Sequence, residues 1–158
     1  MDRTDISLIA LRRILRATEL YGRRLAKEAG MTAVQFRVLQ IIAEKGHATP
    51  TAIANRMGVT QATMTALINK LADKGLVERK RSETDRRQTN LFITAKGVAT
   101  VDDAPDPLQQ RYVKNFEALE DWEQAMIVAA LERVAGMLDA DDLDASPVLD
   151  LGEFGTSH

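Results

Sequence analysis

Between Thr49 and Arg87 two short capped helices run directly into a basic hairpin, and that order of punctuation leaves the chain few folds to choose from. Thr49 can cap, Pro50 suits a first helical position, and Gly58 ends a helix whose Ile53, Ala54 and Met57 point inward. Thr60 caps the next helix, and no Pro or Gly interrupts Gln61 to Lys74 before Gly75 closes it. Met64, Leu67, Ile68 and Leu71 repeat at three and four residues and form one buried stripe. The opposite face holds Gln61, Ala62, Thr65, Ala66 and Asn69, with Thr63 near its edge. Short amides, hydroxyls and methyls are suited to base edges in a major groove. A merely solvated face is the competing reading, and it would be richer in Glu and Lys. Two such helices joined by a glycine turn have the helix-turn-helix layout, with the second helix as reader.

After Gly75 the period changes. Leu76 to Arg79 and Leu91 to Thr94 read as short strands, and the polar segment from Lys80 to Asn90 as the hairpin between them. The tip sets Lys80, Arg81, Arg86 and Arg87 against Glu83 and Asp85. Arginines there can enter a minor groove or hold phosphates, and Asp85 can orient a guanidinium. A charged loop can also be no more than solvation.

Gly58-Val59-Thr60, Thr63, Leu71, Lys74-Gly75-Leu76-Val77, Asp85-Arg86-Arg87, Leu91 to Thr94 and Lys96-Gly97 together resemble the winged-helix core of the MarR family of bacterial transcription regulators. The resemblance runs from about Thr32 to Gly97. It implies that Thr60, Gln61, Ala62, Thr63 and Thr65 face the major groove, and Arg86 or Arg87 the minor groove, with Asp85 orienting the arginine. Ala66 departs from the pattern, since many family members carry a basic residue there. The resemblance also implies a small-molecule site in a crevice between the winged domain and the dimer helices. Arg16, Tyr21, Phe36 and Trp122 are the candidates for it, with plain core packing the alternative for the aromatics. The carboxyl-terminal part, through 104–109, Asp121-Trp122-Glu123-Gln124 and 141–147, is similar to the branch of regulators linked to ectoine and other compatible-solute operons. That likeness implies a betaine-like effector; a phenolic carboxylate, suited to Arg16, is the competing ligand class.

A length of 158 residues and 45% hydrophobic content suit one globular domain. No run of eighteen apolar residues and no charged-then-apolar leader occurs, so neither a membrane span nor a secretion signal is expected, and the location expected is cytoplasmic. There is no Cys, and the two histidines are His47 and His158. Thiol chemistry is thereby excluded, a metal site is not expected, and His47 has no evident partner for catalysis, so neither an enzyme nor a cofactor is expected. The net charge of −2 conceals an asymmetry: residues 1–101 carry 18 Lys or Arg against 9 acids, residues 102–158 carry 3 against 14. One part is fit to approach a polyanion and the other is not, although an acidic tail can also serve solubility alone.

A long helix is expected from Asp5 to Ala29, with Ile14, Ala17, Tyr21 and Leu25 on one stripe and Leu8, Leu11 and Leu15 on another. Its other side carries Arg12, Arg13, Arg16, Arg23, Arg24 and Lys27. Thr32 and Gln35 make a capping box for a buried helix that ends at Gly46. Thr94 caps a further helix that Pro105 and Pro107 interrupt, and helix resumes near Leu108 with Tyr112 and Phe116 on one side. The last helix, Asp121 to Leu138, contains seven consecutive apolar residues, 125–131. Such a run goes right round a helix, and a partner chain across a twofold axis is the simplest cover; an internal core helix is the alternative.

The expected fold is mainly α with a small β wing: a winged helix-turn-helix over 31–94, a helical dimerisation region over 1–30 and 95–140, and an acidic extended tail over 141–158. The expected DNA contacts are Thr60, Gln61, Ala62, Thr63, Thr65, Asn69, Lys70, Arg81, Asp85, Arg86 and Arg87, with Lys74, Arg79 and Lys80 among the phosphate neighbours. The partners are double-stranded DNA, a second copy and a small-molecule effector. A winged helix used only for protein contacts is the alternative.

Overall fold

The computed structural model of the chain describes residues 1–85, 87–104 and 108–140. Arg86, Pro105, Pro107 and the tail 141–158, with the expected docking of Val148, Leu149 and Leu151, lie outside the described residues. The described elements are α1 (Arg3–Ala29), α2 (Ala33–Lys45), β1 (His47–Ala48), α3 (Pro50–Met57), α4 (Gln61–Asp73), β2 (Val77–Arg81), β3 (Thr89–Ile93), α5 (Ala95–Asp103), α6 (Leu108–Glu117) and α7 (Asp121–Met137). Among the described residues no helix is long and apolar enough to cross a membrane.

Contacts divide the chain into two units, one built on α1 to α5 and the other on α6 and α7. In the first unit α2 is the strut. Val34, Phe36, Val38, Leu39 and Ile42 are almost wholly buried, and Ile53, Met64, Leu71 and Leu91 close around them from α3, α4 and β3. Threonine starts each of the short helices: Thr32, Thr49, Thr60 and Thr94 accept the amides of Gln35, Ala52, Thr63 and Gly97. These caps satisfy donors that a helix start leaves without partners.

α1 begins two residues before the apolar pattern does, because Asp2 accepts the Asp5 amide at 2.8 Å and serves as its cap. Only Tyr21 and Leu25 of this helix are buried; Ile6, Leu8, Ile14, Leu15 and Leu20 lie open in the single chain.

The sheet has the order β1-β3-β2, all antiparallel. The hairpin pairs Val77 with Ile93 and continues to Arg81 opposite Thr89. Its strands therefore run further than the hydrophobic letters suggest: Lys80 and Arg81, expected in the loop, are ladder residues. The two-residue β1 was not expected at all, since a run that short has no readable period. Gly97 explains how closely α5 sits on the hairpin, for a Cβ there would lie 2.3 Å from the Leu76 carbonyl oxygen and 2.7 Å from Ile93 Cγ1.

In the second unit Tyr112 and Phe116 stack at 5.6 Å, on one side of α6 as their spacing implies. Gln124 Nε2 donates to the carbonyls of Phe116 and Leu119 and ties the start of α7 to the end of α6. No residue of α7 is buried in the single chain. Met126, Val128, Leu131 and Val134 are exposed among the described residues.

Candidate nucleic-acid interface

The reading helix α4 buries Met64, Leu67, Ile68 and Leu71 and leaves Gln61, Ala62, Thr65, Ala66 and Asn69 exposed, with Thr63 and Lys70 half-buried. The outward face is thus uncharged over its first two turns. It is preceded by a tight turn in which Gly58 adopts φ 68° and Val59 donates to the Ala54 carbonyl at 3.1 Å. Only glycine takes such a φ without penalty, and the turn leads directly into the Thr60 cap of α4.

The hydroxyls on this face have defined roles. Thr60 Oγ1 accepts the Thr63 amide at 3.2 Å and donates to Thr63 Oγ1 at 3.0 Å. Thr65 Oγ1 donates to the Gln61 carbonyl at 2.9 Å, so its outward lone pairs are acceptors, suited to the exocyclic amines of adenine or cytosine. Asn69 Oδ1 accepts from Arg79 Nη2 on β2, which turns the Asn69 amine outward and joins wing to reader.

The wing tip is compact. The Ser82 amide donates to the Gln88 carbonyl at 2.9 Å, and the Gln88 amide to the Asp85 carbonyl at 3.0 Å. Asp85 Oδ1 accepts the backbone amide of Arg87 at 3.0 Å, so the carboxylate shapes the Arg87 backbone directly. Lys80, Arg81 and Arg87 are exposed, and Lys80 Nζ sits 5.1 Å from the Phe92 ring centre. Arg86 lies outside the described residues.

Lys74 is placed differently from the other basic residues. Its Nζ donates to the Gly30 carbonyl at 2.6 Å and to Gln35 Oε1 at 3.3 Å, and burial, with help from Lys70, holds its pKa below the usual lysine value. Behind α3, Arg56 grips Glu44 with both terminal nitrogens, at 2.6 and 2.8 Å. Desolvation lowers the pKa of Arg37 beside this pair, and Arg56 lowers it further. Neither Glu44 nor Arg37 stood out in the sequence, and the signal available was one acid and one base on neighbouring helices.

The candidates for a small-molecule site are spread out. Arg16 is exposed and paired with Glu19 at 3.0 Å. Phe36 is wholly buried in the core of the first unit, and Trp122, on α7 of the second, is 66% exposed. Tyr21 is buried, its hydroxyl has no hydrogen-bond partner among the described residues, and burial pushes its pKa up to about 12. Gln40 on α2, which sequence reasoning passed over, is also buried, and neither amide atom has a hydrogen-bond partner among the described residues. Its signal was a single polar residue on an otherwise apolar helix.

The model of the MarR family matches residues 31–89, from just before α2 to the first residue of β3. A putative transcriptional regulatory protein for the hcr operon of Thauera aromatica is 30% identical over 115 residues, covering 72% of this chain and 69% of that protein. The HTH-type transcriptional regulator MhqR of Bacillus subtilis is 28% identical, with 80% of this chain and 87% of MhqR covered. Among solved structures, a MepR-like protein complexed with pseudoligands superposes with a TM-score of 0.62 at 27% identity, over 87% of this chain and 97% of that one.

Proposed function

The chain belongs to the MarR family of transcription regulators, and from that premise we propose that it is a ligand-responsive repressor acting as a homodimer on a pseudo-palindromic operator. It is a DNA-binding transcriptional regulator. The observation that carries the rest is the uncharged exposed start of α4 beside an exposed basic wing. In this reading Gln61, Ala62, Thr63 and Thr65 meet base edges, and Thr60, Asn69 and Lys70 flank them. Arg81 and Arg87 serve the backbone or minor groove, with Arg86 beside them and Asp85 holding the turn. Binding across a promoter excludes polymerase, in the cytoplasm, where the DNA is.

The dimer reading rests on the open apolar residues of α1 and α7. In this reading residues 1–30 and 95–140 supply the dimerisation region and 31–94 the winged domain, and the tail 141–158 is acidic. Two readers on a twofold axis address half-sites about one helical turn apart.

The effector reading rests on Tyr21 and Gln40. Buried polar atoms without partners are costly, and a ligand that supplies the missing hydrogen bonds is favoured there. The pseudoligands of the MepR-like protein support a small-molecule site in this chain also. A phenolic carboxylate suits a hydroxyl such as that of Tyr21 or an amide such as that of Gln40. A betaine-like solute would use aromatic faces, for which exposed Trp122 is the better candidate. Either ligand weakens DNA binding only by its preference for the conformation that does not bind.

The deciding experiment is a gel shift on DNA upstream of the chain's own gene, with Arg87→Ala beside the parent. A loss of about tenfold or more is expected in the variant. No shift by the parent, or no difference between the two, returns the winged helix to a role in protein contacts.

A further inference from the structure

We propose that Lys74 is a positioning residue, the brace that sets the angle of the reading helix against α1, and not one of the lysines that touch DNA. Lys74 caps the carboxyl end of α4. Its ammonium lies on the carboxyl end of α1, donating to the Gly30 carbonyl at 2.6 Å, and also reaches Gln35 Oε1 at 3.3 Å. Gln35 Oε1 in turn accepts the Thr32 amide at 3.2 Å and so belongs to the box that opens α2. One side chain therefore ties three helix ends together.

The tie is favourable on two counts. The last carbonyls of a helix have no partner within it, and they carry the negative end of the helix dipole, which a cation complements. The same α4 end is held from its other side. Lys96 Nζ donates to the Lys74 carbonyl at 2.8 Å, and Thr94 Oγ1 to the Gly75 carbonyl at 2.7 Å. These hydrogen bonds tie the carboxyl end of α4 to α1, α2 and the start of α5. To reach a phosphate, Lys74 would have to break both hydrogen bonds, whereas Lys80 and Arg81 are already exposed.

This inference rests on the DNA-binding reading and on α1 being a dimer helix. A brace between a dimer helix and a reader controls the spacing of the two readers. Its loss should relax the preference for half-site spacing while leaving the number of phosphate contacts unchanged.

The test uses full-length protein and a duplex that the parent enriches from a random pool. Binding is measured by fluorescence anisotropy between about 50 and 200 mM salt. The same measurements are made on that duplex with one base pair inserted between its half-sites. For Lys74→Met the salt slope should equal that of the parent, and discrimination against the inserted base pair should fall roughly three- to thirtyfold. Lys70→Met is measured alongside as the same chemical change on the same helix. Should Lys74→Met lose its circular dichroism signature, Lys74→Gln, a neutral donor, takes its place in both measurements. A slope shallower by about one unit or more per subunit makes Lys74 a phosphate contact and overturns the proposal. Unchanged slope with unchanged discrimination overturns it as well. A parent that binds no sequence removes the DNA-binding premise itself, which is a different failure from either.

Discussion

Arg79, on the first wing strand, donates a hydrogen bond to the side-chain oxygen of Asn69, on α4, so a side-chain bond joins the wing to that helix. Neither residue needs to touch a base for this to matter. A wing that drifted relative to α4 would lose the register between groove and backbone contacts. Asn69→Ala should weaken operator binding several-fold and leave thermal stability within about 0.5 kcal/mol, the usual range for exposed substitutions. Amide exchange in 77–81 and 89–93 should rise, and anisotropy with exchange on the same sample checks both statements.

Gln61 offers an exposed amide at the first turn of α4. Gln61→Ala should cost about 1–3 kcal/mol on the selected duplex and almost nothing on an unrelated one, because a base contact is lost and phosphate contacts are not. Equal losses on both duplexes would remove Gln61 from the base readers.

Gly97 has no room for a methyl group. Gly97→Ala must push α5 away from the Leu76 carbonyl and should cost about 1–3 kcal/mol. Thermal unfolding should show a fall of several degrees, and an unchanged midpoint would mean that α5 can shift freely.

Glu44 is held below its ordinary pKa first by the Arg56 hydrogen bonds. A depressed carboxyl pKa stabilises the fold above the unfolded-state value and loses that contribution as pH falls through the folded one. The pair is therefore intact at neutral pH and lost only in acid, below the ordinary Glu range near pH 4.3. Both side chains are nearly half exposed, so solvent screening limits the effect to about 1 kcal/mol or less. Glu44→Gln should accordingly lower stability slightly at pH 7 and by less as pH falls below the ordinary Glu range, as paired denaturation curves would reveal.

Tyr21 tests the effector site and the high-pH limit together. Its pKa of about 12 lies above the ordinary value of 10, so stability is complete below pH 10 and declines as pH rises towards 12. Tyr21→Phe removes that decline and an unpaired hydroxyl, and should leave the ligand-free protein equally or slightly more stable. Calorimetry with salicylate and with glycine betaine, on parent and variant, then reads the ligand class. Heat lost in the variant for one of them identifies it, and no heat from either ends the effector reading at Tyr21.

What the sequence made legible follows from distance along the chain. Thr60, Met64, Leu67 and Leu71 lie within one helix, where capping and a 3.6-residue period act on neighbours, and α4 formed as read. The hairpin was read from its composition, but its strands were drawn too short because charged Lys80 and Arg81 look like loop residues. Contacts that join different elements left no such trace. Nothing local distinguishes Lys74, turned inward to Gly30, from Lys70 one turn earlier. The Glu44–Arg56 pair and the Arg79–Asn69 bond likewise depend on an assembled fold. The unpaired Gln40 was visible only as one polar letter among apolar ones.

α1 contains 27 residues and is about 40 Å long, yet among the described residues Tyr21 and Leu25 are its buried ones. Substitutions towards its amino end can accumulate without disturbing how the reader is seated, whereas those near Leu25 cannot. Across related genes, new pairing preferences can therefore arise at one end of this rod while operator choice is inherited intact at the other.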